Sequence, residues 1–289
     1  MEAIRGDLRG RVCMVTGATS GIGRAAARAL GGLGAELVLL CRDRARGEET
    51  VRWIQRETGN TKVDLLLADL ASQEEVRRAA REYLAGGRPL HVLLNNAGVI
   101  LRRRSETVDR IESTFAVNHL GYFLLTNLLL ERLRQSAPAR VVNVASDAHR
   151  FARGRIRFDD LGFRNGYSAM RVYGHSKLAN ILFTRELARR LEGTGVTANC
   201  MHPGFVASNF GKNNGPLESL LMTLGRPFAR STERGADTAV WLCAEPELAG
   251  RSGGYYFDRR DRRPNAAGSN DEDARRLWDV SARMTGLAA

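Results

Sequence analysis

From residue 11 to about residue 201 the chain alternates short, unbroken apolar runs with longer stretches of helical periodicity, and that alternation admits few folds. The apolar runs are Arg11–Val15, Glu36–Leu40, Val63–Ala68, His91–Leu94, Arg140–Val144 and Val196–Met201. Runs this short, with no polar alternation, are the pattern of strands covered on both faces in a parallel sheet. Between them the spacing predicts helices over Gly21–Leu33, Arg44–Glu57, Gln73–Leu84, Arg110–Gln135 and Ser176–Leu191. Ser72 with Glu75 three places on reads as a capping box at one helix start, and Thr107 to Arg110 reads as another start.

Strands separated by helices require right-handed crossovers. The expected fold class is therefore α/β: a Rossmann-like, doubly wound parallel sheet. Past Pro203 the pattern loosens, then predicts a helix over Arg234–Ala244, a last strand at Gly254–Phe257 and a closing helix over Asp271–Met284. No repeat or linker divides the chain, so one domain over residues 1–289 is expected, with an insertion at about 205–232 placed to cover a substrate. That insertion carries Phe205, Phe210, Leu217, Leu220, Leu221, Met222 and Phe228. Those side chains suit a lipophilic pocket under a lid, and equally ordinary packing or an oligomer contact.

Hydrophobic residues make up 43% of the chain and charged residues 26%, which excludes disordered and fibrous classes. The longest apolar run, Leu120 to Leu130, is broken by Thr126 and Asn127 and is too short to span a bilayer. The N-terminus has no apolar signal segment. No membrane anchor and a cytoplasmic location are the expectation. Cys13, Cys41, Cys200 and Cys243 are dispersed, without metal-ligand spacing, and read as reduced, buried thiols. The net charge of +12 comes from arginines spread between Arg5 and Arg283, which reads as a solvated surface rather than a nucleic-acid site. Lysine occurs only at Lys62, Lys177 and Lys212.

Directly after the first apolar run stands Thr16-Gly-Ala-Thr-Ser-Gly-Ile-Gly23, opening a helix. Gly17 permits the tight turn, Gly21 lets backbone approach a pyrophosphate, and Gly23 lets helix and strand pack closely. Ser20 and Ile22 complete the loop. The helix N-terminus offers free N–H groups and partial positive charge to phosphates. Nucleotide binding is the expectation. At the end of the second run, where a carboxylate would accept hydrogen bonds from a ribose 2′-hydroxyl, the chain has Cys41 and Arg42, with Asp43 one place too late. A guanidinium there suits a 2′-phosphate, so NADP(H) is favoured over NAD(H).

Tyr173 and Lys177 lie four apart on a helical segment and share one face. A tyrosine of pKa about 10 is a poor base at neutral pH. A cation about 4 Å away, at an effective dielectric of 20, favours the phenolate by about 4 kcal/mol, or roughly 3 pKa units. That would bring Tyr173 near the range where a general acid and base works best. Ser146 ends the stretch Arg140-Val-Val-Asn-Val-Ala-Ser146, where its hydroxyl would emerge at the carboxyl edge of the sheet and can orient a carbonyl or alcohol. His149, His175 and His202 show no metal-ligand spacing and read as structural, and no metal is expected.

The Gly-x-x-x-Gly-x-Gly loop, Asp69-Leu70, Asn95-Asn-Ala-Gly98, Asn118, Ser146, Tyr173 with Lys177, and Pro203-Gly204 occur in one order, and on these the chain resembles the short-chain dehydrogenase/reductase family from about residue 10 to 206. The resemblance implies that Asp69, with Leu70, meets the adenine. It implies that Asn96, Ala97 and Gly98 flank the adenosine, and that Pro203, Gly204 and Val206 contact the nicotinamide end. It implies that Asn118 holds a water that relays protons to Lys177, with Ser146 and Tyr173 touching substrate. The stretches from Cys41, Val117, Tyr173 and Met201, and the 27 positions separating Ser146 from Tyr173 (173 − 146 = 27), are similar to the retinol dehydrogenase-related branch. That branch implies lipophilic aldehydes, ketones or alcohols as substrates, generally with NADP(H). Without an N-terminal hydrophobic segment, a soluble carbonyl reductase or alcohol dehydrogenase is expected rather than an enzyme of retinol itself. Homo-oligomers are common in the family. A catalytically silent NADP(H)-binding sensor is the rival reading, and it would not need Tyr173 and Lys177.

Overall fold

The structure, a computed structural model, describes residues 3–206 and 230–288. Among these residues one sheet has eight strands: β1 (Val12–Thr16), β2 (Glu36–Cys41), β3 (Val63–Leu67), β4 (Val92–Asn95), β5 (Ala139–Val144), β6 (Val196–Met201), β7 (Tyr255–Phe257) and β8 (Arg260–Arg262). They lie side by side in the order β3-β2-β1-β4-β5-β6-β7-β8. Every pairing is parallel except that of β7 with β8. The long helices are α1 (Gly21–Gly32), α2 (Arg44–Thr58), α3 (Gln73–Ala85), α7 (Ala169–Arg190), α8 (Thr232–Ala244) and α9 (Asp271–Met284). Between β4 and β5 run α4 (Ser113–Phe115), a π-helical turn (Ala116–Leu120), α5 (Gly121–Leu128) and α6 (Leu130–Gln135).

Apart from the edge strand β3, where Asp64 is exposed, the apolar runs are buried on both faces, as a doubly wound sheet requires. In β1, Val12 and Met14 pack with Val76 and Tyr83 of α3, Tyr122 and Phe123 of α5, Phe183 of α7 and Trp278 of α9. Cys13 and Val15, turned the other way by the two-residue period, pack with Ala26 and Leu30 of α1, Ile54 of α2 and Val240 of α8. The order of strands reverses between β1 and β4, and the carboxyl ends of those two strands mark the crevice where such sheets bind ligands. All four cysteines are free and buried. No described helix is long and apolar enough to cross a membrane.

Several expectations change in detail. The helix expected over Arg110–Gln135 is broken. Its start is Glu112, whose carboxylate accepts from the N–H groups of Thr114 (2.9 Å) and Phe115 (2.7 Å). Thr107 to Arg110 is instead a turn, with Arg110 at φ +59 and its N–H donating to the Thr107 carbonyl. The capping box at α3 is half of one. Ser72 caps Glu75 N, but the Glu75 carboxylate reaches past it to Asp69 N at 2.8 Å. Helix α7 begins at Ala169 rather than Ser176, so Tyr173 stands inside its first turns. The antiparallel β8 went unforeseen because Arg260–Arg262 is exposed and carries no apolar signal. Of the residues expected to line a substrate lid, Phe210, Leu217, Leu220, Leu221, Met222 and Phe228 lie outside the described residues.

Candidate active site

The loops that follow β1, β4, β5 and β6 meet at the carboxyl edge of the sheet. After β1 the chain turns at Gly17, with φ +67, and the Gly17 N–H donates to Leu40 O of β2. A Cβ on Gly17 would fall 2.8 Å from Ala97 Cα, and one on Gly23 would fall 2.3 Å from Asn96 Nδ2, so neither position has room for a side chain. Thr16 fastens this contact. Its hydroxyl accepts from Asn96 N (2.8 Å) and Ala97 N (3.0 Å), while Asn96 Nδ2 donates to Thr16 O (2.9 Å) and Gly17 O (3.3 Å). Asn96 is thus the strut that ties the glycine loop to the end of β4.

Ser20 stands at the N-cap of α1 without using its hydroxyl to cap, and the first turn of α1 holds no acidic residue. Uncapped N–H groups and an uncommitted hydroxyl at the positive end of a helix suit a pyrophosphate. The Ile22 side chain packs on the core beneath α1, which leaves its backbone for a ligand. Leu70 is likewise a core residue, so any contact it makes with an adenine is through its backbone. Half-buried Asp69 follows β3 and spends one carboxylate oxygen on Ala71 N at 2.9 Å. Arg42 is exposed just beyond β2 and makes no ion pair among the described residues. The neighbouring Asp43 caps α2, its Oδ1 accepting from Arg46 N at 3.1 Å.

The proton-handling side chains converge from β5 and α7. Ser146 begins the 3-10 turn Asp147–Ala152, its Oγ accepting from Ala148 N at 3.1 Å, and it is hydrogen-bonded to Tyr173. Lys177 is buried and donates from Nζ to the Val144 carbonyl at 2.9 Å. Its Nζ lies 5.6 Å from the Tyr173 ring centre and 5.7 Å from that of Tyr122, whose hydroxyl donates to Ala97 O at 2.8 Å. A Cβ on Gly98 would stand 3.6 Å from the same Nζ, which puts the end of β4 against the lysine.

Asn118, fully buried in the π-helical turn, accepts from Val99 N (2.7 Å) and donates to Val99 O (2.9 Å) and Ser176 Oγ (3.0 Å). Ser176 in turn donates to Tyr173 O at 2.7 Å. Both amide hydrogens of Asn118 are therefore in use, and its side chain braces the strand end against the helix that carries Tyr173 and Lys177.

The electrostatics depart from the expectation. Burial pushes the Tyr173 hydroxyl up to about 12, against the opposing pull of its bond with Ser146. Burial also pushes Lys177 down to about 7. The expected lowering of Tyr173 by a neighbouring cation is thus overturned in the protein by itself. Near neutrality the Lys177 ammonium carries only part of a charge. Desolvation wins over the Coulomb attraction.

The three tempting histidines are structural. His175 accepts from Arg157 N at 2.9 Å, and burial drives it down to about 3. His149 bridges Ser146 O (2.8 Å) and Asn265 N (3.3 Å). His202 accepts from Gly204 N at 3.2 Å and stacks on Phe257 with centroids 4.0 Å apart.

Beyond β6, half-buried Pro203 leads to Gly204 at φ +77, and Val206 bridges to Arg230 across the two ends of the segment between them. Arg230 was not expected in the site. Its guanidinium lies over the Phe257 ring at 4.6 Å, pairs with Asp258 (Nη2 to Oδ2 2.8 Å), and would meet a Cβ on Gly204 at 2.9 Å. Exposed apolar side chains also gather on these loops. Phe151 (54% exposed) lies on the turn that Ser146 begins, Met170 (45%) precedes Tyr173 by three places, and Phe205 (56%) follows Gly204.

The chain matches the short chain dehydrogenase family over residues 11–158 and 160–218. Retinol dehydrogenase 12 of Mus musculus is 46% identical to it over 281 residues, covering 97% of this chain and 88% of that protein. Retinol dehydrogenase 14 of Homo sapiens is 43% identical, covering 98% and 88%. Among solved structures, an uncharacterised protein of Mycobacterium paratuberculosis superposes with a TM-score of 0.79 at 32% identity, covering 98% of this chain and 96% of that one. The Pseudomonas aeruginosa RhlG/NADP active-site complex superposes with a TM-score of 0.67 at 29% identity, covering 86% and 94%.

Proposed function

The chain belongs to the short-chain dehydrogenase/reductase family, in its retinol dehydrogenase branch, and from that premise we propose that it is an NADP(H)-dependent carbonyl reductase or alcohol dehydrogenase of lipophilic substrates. The observation that carries the reading is the convergence of Ser146, Tyr173 and Lys177 at the strand edge beside an uncapped α1 N-terminus. The bound nicotinamide supplies or accepts the hydride. In reduction, Ser146 holds the substrate oxygen and Tyr173 donates its hydroxyl proton to that oxygen. In oxidation, Tyr173 takes the proton from the alcohol. Lys177, fixed between Val144 O and the two tyrosine rings, tunes that proton.

Preference for NADP(H) is supported by exposed Arg42 just beyond β2 and by Asp43, one place further on, spending Oδ1 on the α2 cap. A lipophilic substrate is supported by Phe151, Met170 and Phe205, three exposed apolar side chains on the loops that carry Ser146, Tyr173 and Pro203.

The test is NADPH consumption over a panel of aldehydes and ketones, retinal included, with Tyr173→Phe beside wild type. The expected outcome is turnover by wild type that falls about 10²–10⁴-fold in the variant while NADPH binding persists. Tight NADPH binding with no turnover on any carbonyl would favour a silent NADP(H) sensor instead.

A further inference from the structure

One buried histidine lies outside the chemistry described so far. His119 is fully buried in the π-helical turn, boxed by the rings of Phe115 (5.0 Å between centroids), Phe183 (6.0 Å) and Phe123 (6.4 Å). A phenylalanine would fill that box without the cost of burying two ring nitrogens. The nitrogens are used. Nε2 lies 2.9 Å from Ser281 Oγ on α9, and Nδ1 lies 3.4 Å from Asn180 Oδ1 on α7. Asn180 Nδ2 donates at 3.4 Å to Val144 O, the carbonyl that also accepts from Lys177 Nζ at 2.9 Å. His119, Asn180 and Ser281 are each fully buried, so water cannot substitute for a lost partner.

The direction of every hydrogen in this chain is fixed. Val144 O can only accept, so the Asn180 amide must turn its nitrogen toward it and its oxygen toward His119. That oxygen can only accept, so Nδ1 of His119 carries the proton. Nε2 is then the acceptor, and the Ser281 hydroxyl donates to it. One tautomer and one amide orientation satisfy the set, running from the last helix to the carbonyl between the catalytic serine and the catalytic lysine.

We propose that His119, Asn180 and Ser281 are positioning residues whose relay occupies one side of Val144 O and thereby limits its hold on Lys177, making α9 part of the catalytic framework. The proposal rests on the reading of Lys177 given above. When the relay is broken, Val144 O keeps Lys177 as its sole side-chain donor. A hydrogen bond to the charged form favours that form, so the lysine should bind its proton more tightly. Tyr173 and Tyr122 are the titratable groups facing Lys177, and His175 is the one that faces His119. Burial displaces Lys177, and among the described residues no carboxylate acts on either group.

The scarcity of lysine makes this measurable without substrate or cofactor. With lysine labelled at 13Cε, the full chain gives three signals, and replacing Lys62 and Lys212 by arginine assigns the third to Lys177. The wild-type Lys177 signal should titrate near 7. His119→Phe, which keeps the ring packing, should move that midpoint up by about one unit. It should also lower kcat about tenfold through the displaced lysine. Ser281→Ala should move the midpoint the same way by less, and it keeps the test open should His119→Phe fail to fold. His119→Asn, which retains a donor at the Nδ1 position, should bring the midpoint back toward wild type.

A midpoint unmoved in both His119→Phe and Ser281→Ala, with Lys177→Met inactive, overturns the relay and leaves the catalytic reading standing. Wild-type turnover in Lys177→Met overturns both.

Discussion

Arg42 and Tyr173 carry the two consequences that single side chains can test. Arg42→Asp places a carboxylate just past β2 in place of a guanidinium, and the expected outcome is a preference for NADH over NADPH, reversed by at least tenfold in the ratio of Kd values. Titration of both cofactors against the variant checks this, and an unchanged ratio would remove Arg42 from the cofactor site. Tyr173 stands protonated at neutral pH because burial holds it near 12. It is ready as an acid, whereas oxidation needs the phenolate, so the rate of oxidation relative to reduction should climb between about pH 6 and 9. Initial rates in both directions across that range would show it.

The residues legible in advance were those whose type is rare at their place: a Tyr–Lys pair in a chain with three lysines, and glycines at a strand end. Arg230 was hidden among many arginines. Thr16 opened the motif, but nothing in sequence tells a strand-end hydroxyl that it will accept two N–H bonds from residues 80 and 81 positions away.

At the level of elements, the glycine loop and α1 form one device with the end of β4. Gly23→Ala would drive a methyl group to 2.3 Å from Asn96 Nδ2 and 2.4 Å from Gly17 O. The expected result is a loss of about 1–3 kcal/mol in urea unfolding, together with weakened NADPH binding. A variant as stable as wild type would show that the loop has slack. The positions of β1 to β7 were read to within a residue or two, because the central strands are covered on both faces and their apolar runs stop where the cover stops.

The break in the long helix before β5 was not legible. The π-helical turn exists because Asn118 bonds backbone at Val99 and a hydroxyl on α7, and such tertiary partners leave no periodic trace. The early start of α7 escaped for a related reason. Its first turns carry Arg171 and Tyr173 among buried Val172 and Gly174, which blurs the apolar face.

For the whole molecule, acid lability follows from its interior. His119 is held at about 4 and His175 at about 3, each below an ordinary value of 6.5. For a base whose folded pKa is depressed, the unfolded chain takes up the proton first. Full stability is therefore present above 6.5 and drains away as pH falls toward the folded value. Each histidine should remove about 2 kcal/mol between pH 7 and pH 5. Urea midpoints at the two values test this, and His119→Phe should flatten the decline by its own share. If wild type is equally stable at both, these histidines are not buried neutral.

Arg230 also has a meaning for how such a molecule diversifies. Stacked on Phe257 and paired with Asp258, with its backbone bridged to Val206, it staples together the two points between which residues 207–229 depart and return. A stretch whose exits are already joined can be lengthened, shortened or exchanged at small entropic cost, and without a hand on the hydride chemistry. On the proposed function, a change confined to that one segment could alter what the molecule accepts while Ser146, Tyr173 and Lys177 stay where the sheet holds them.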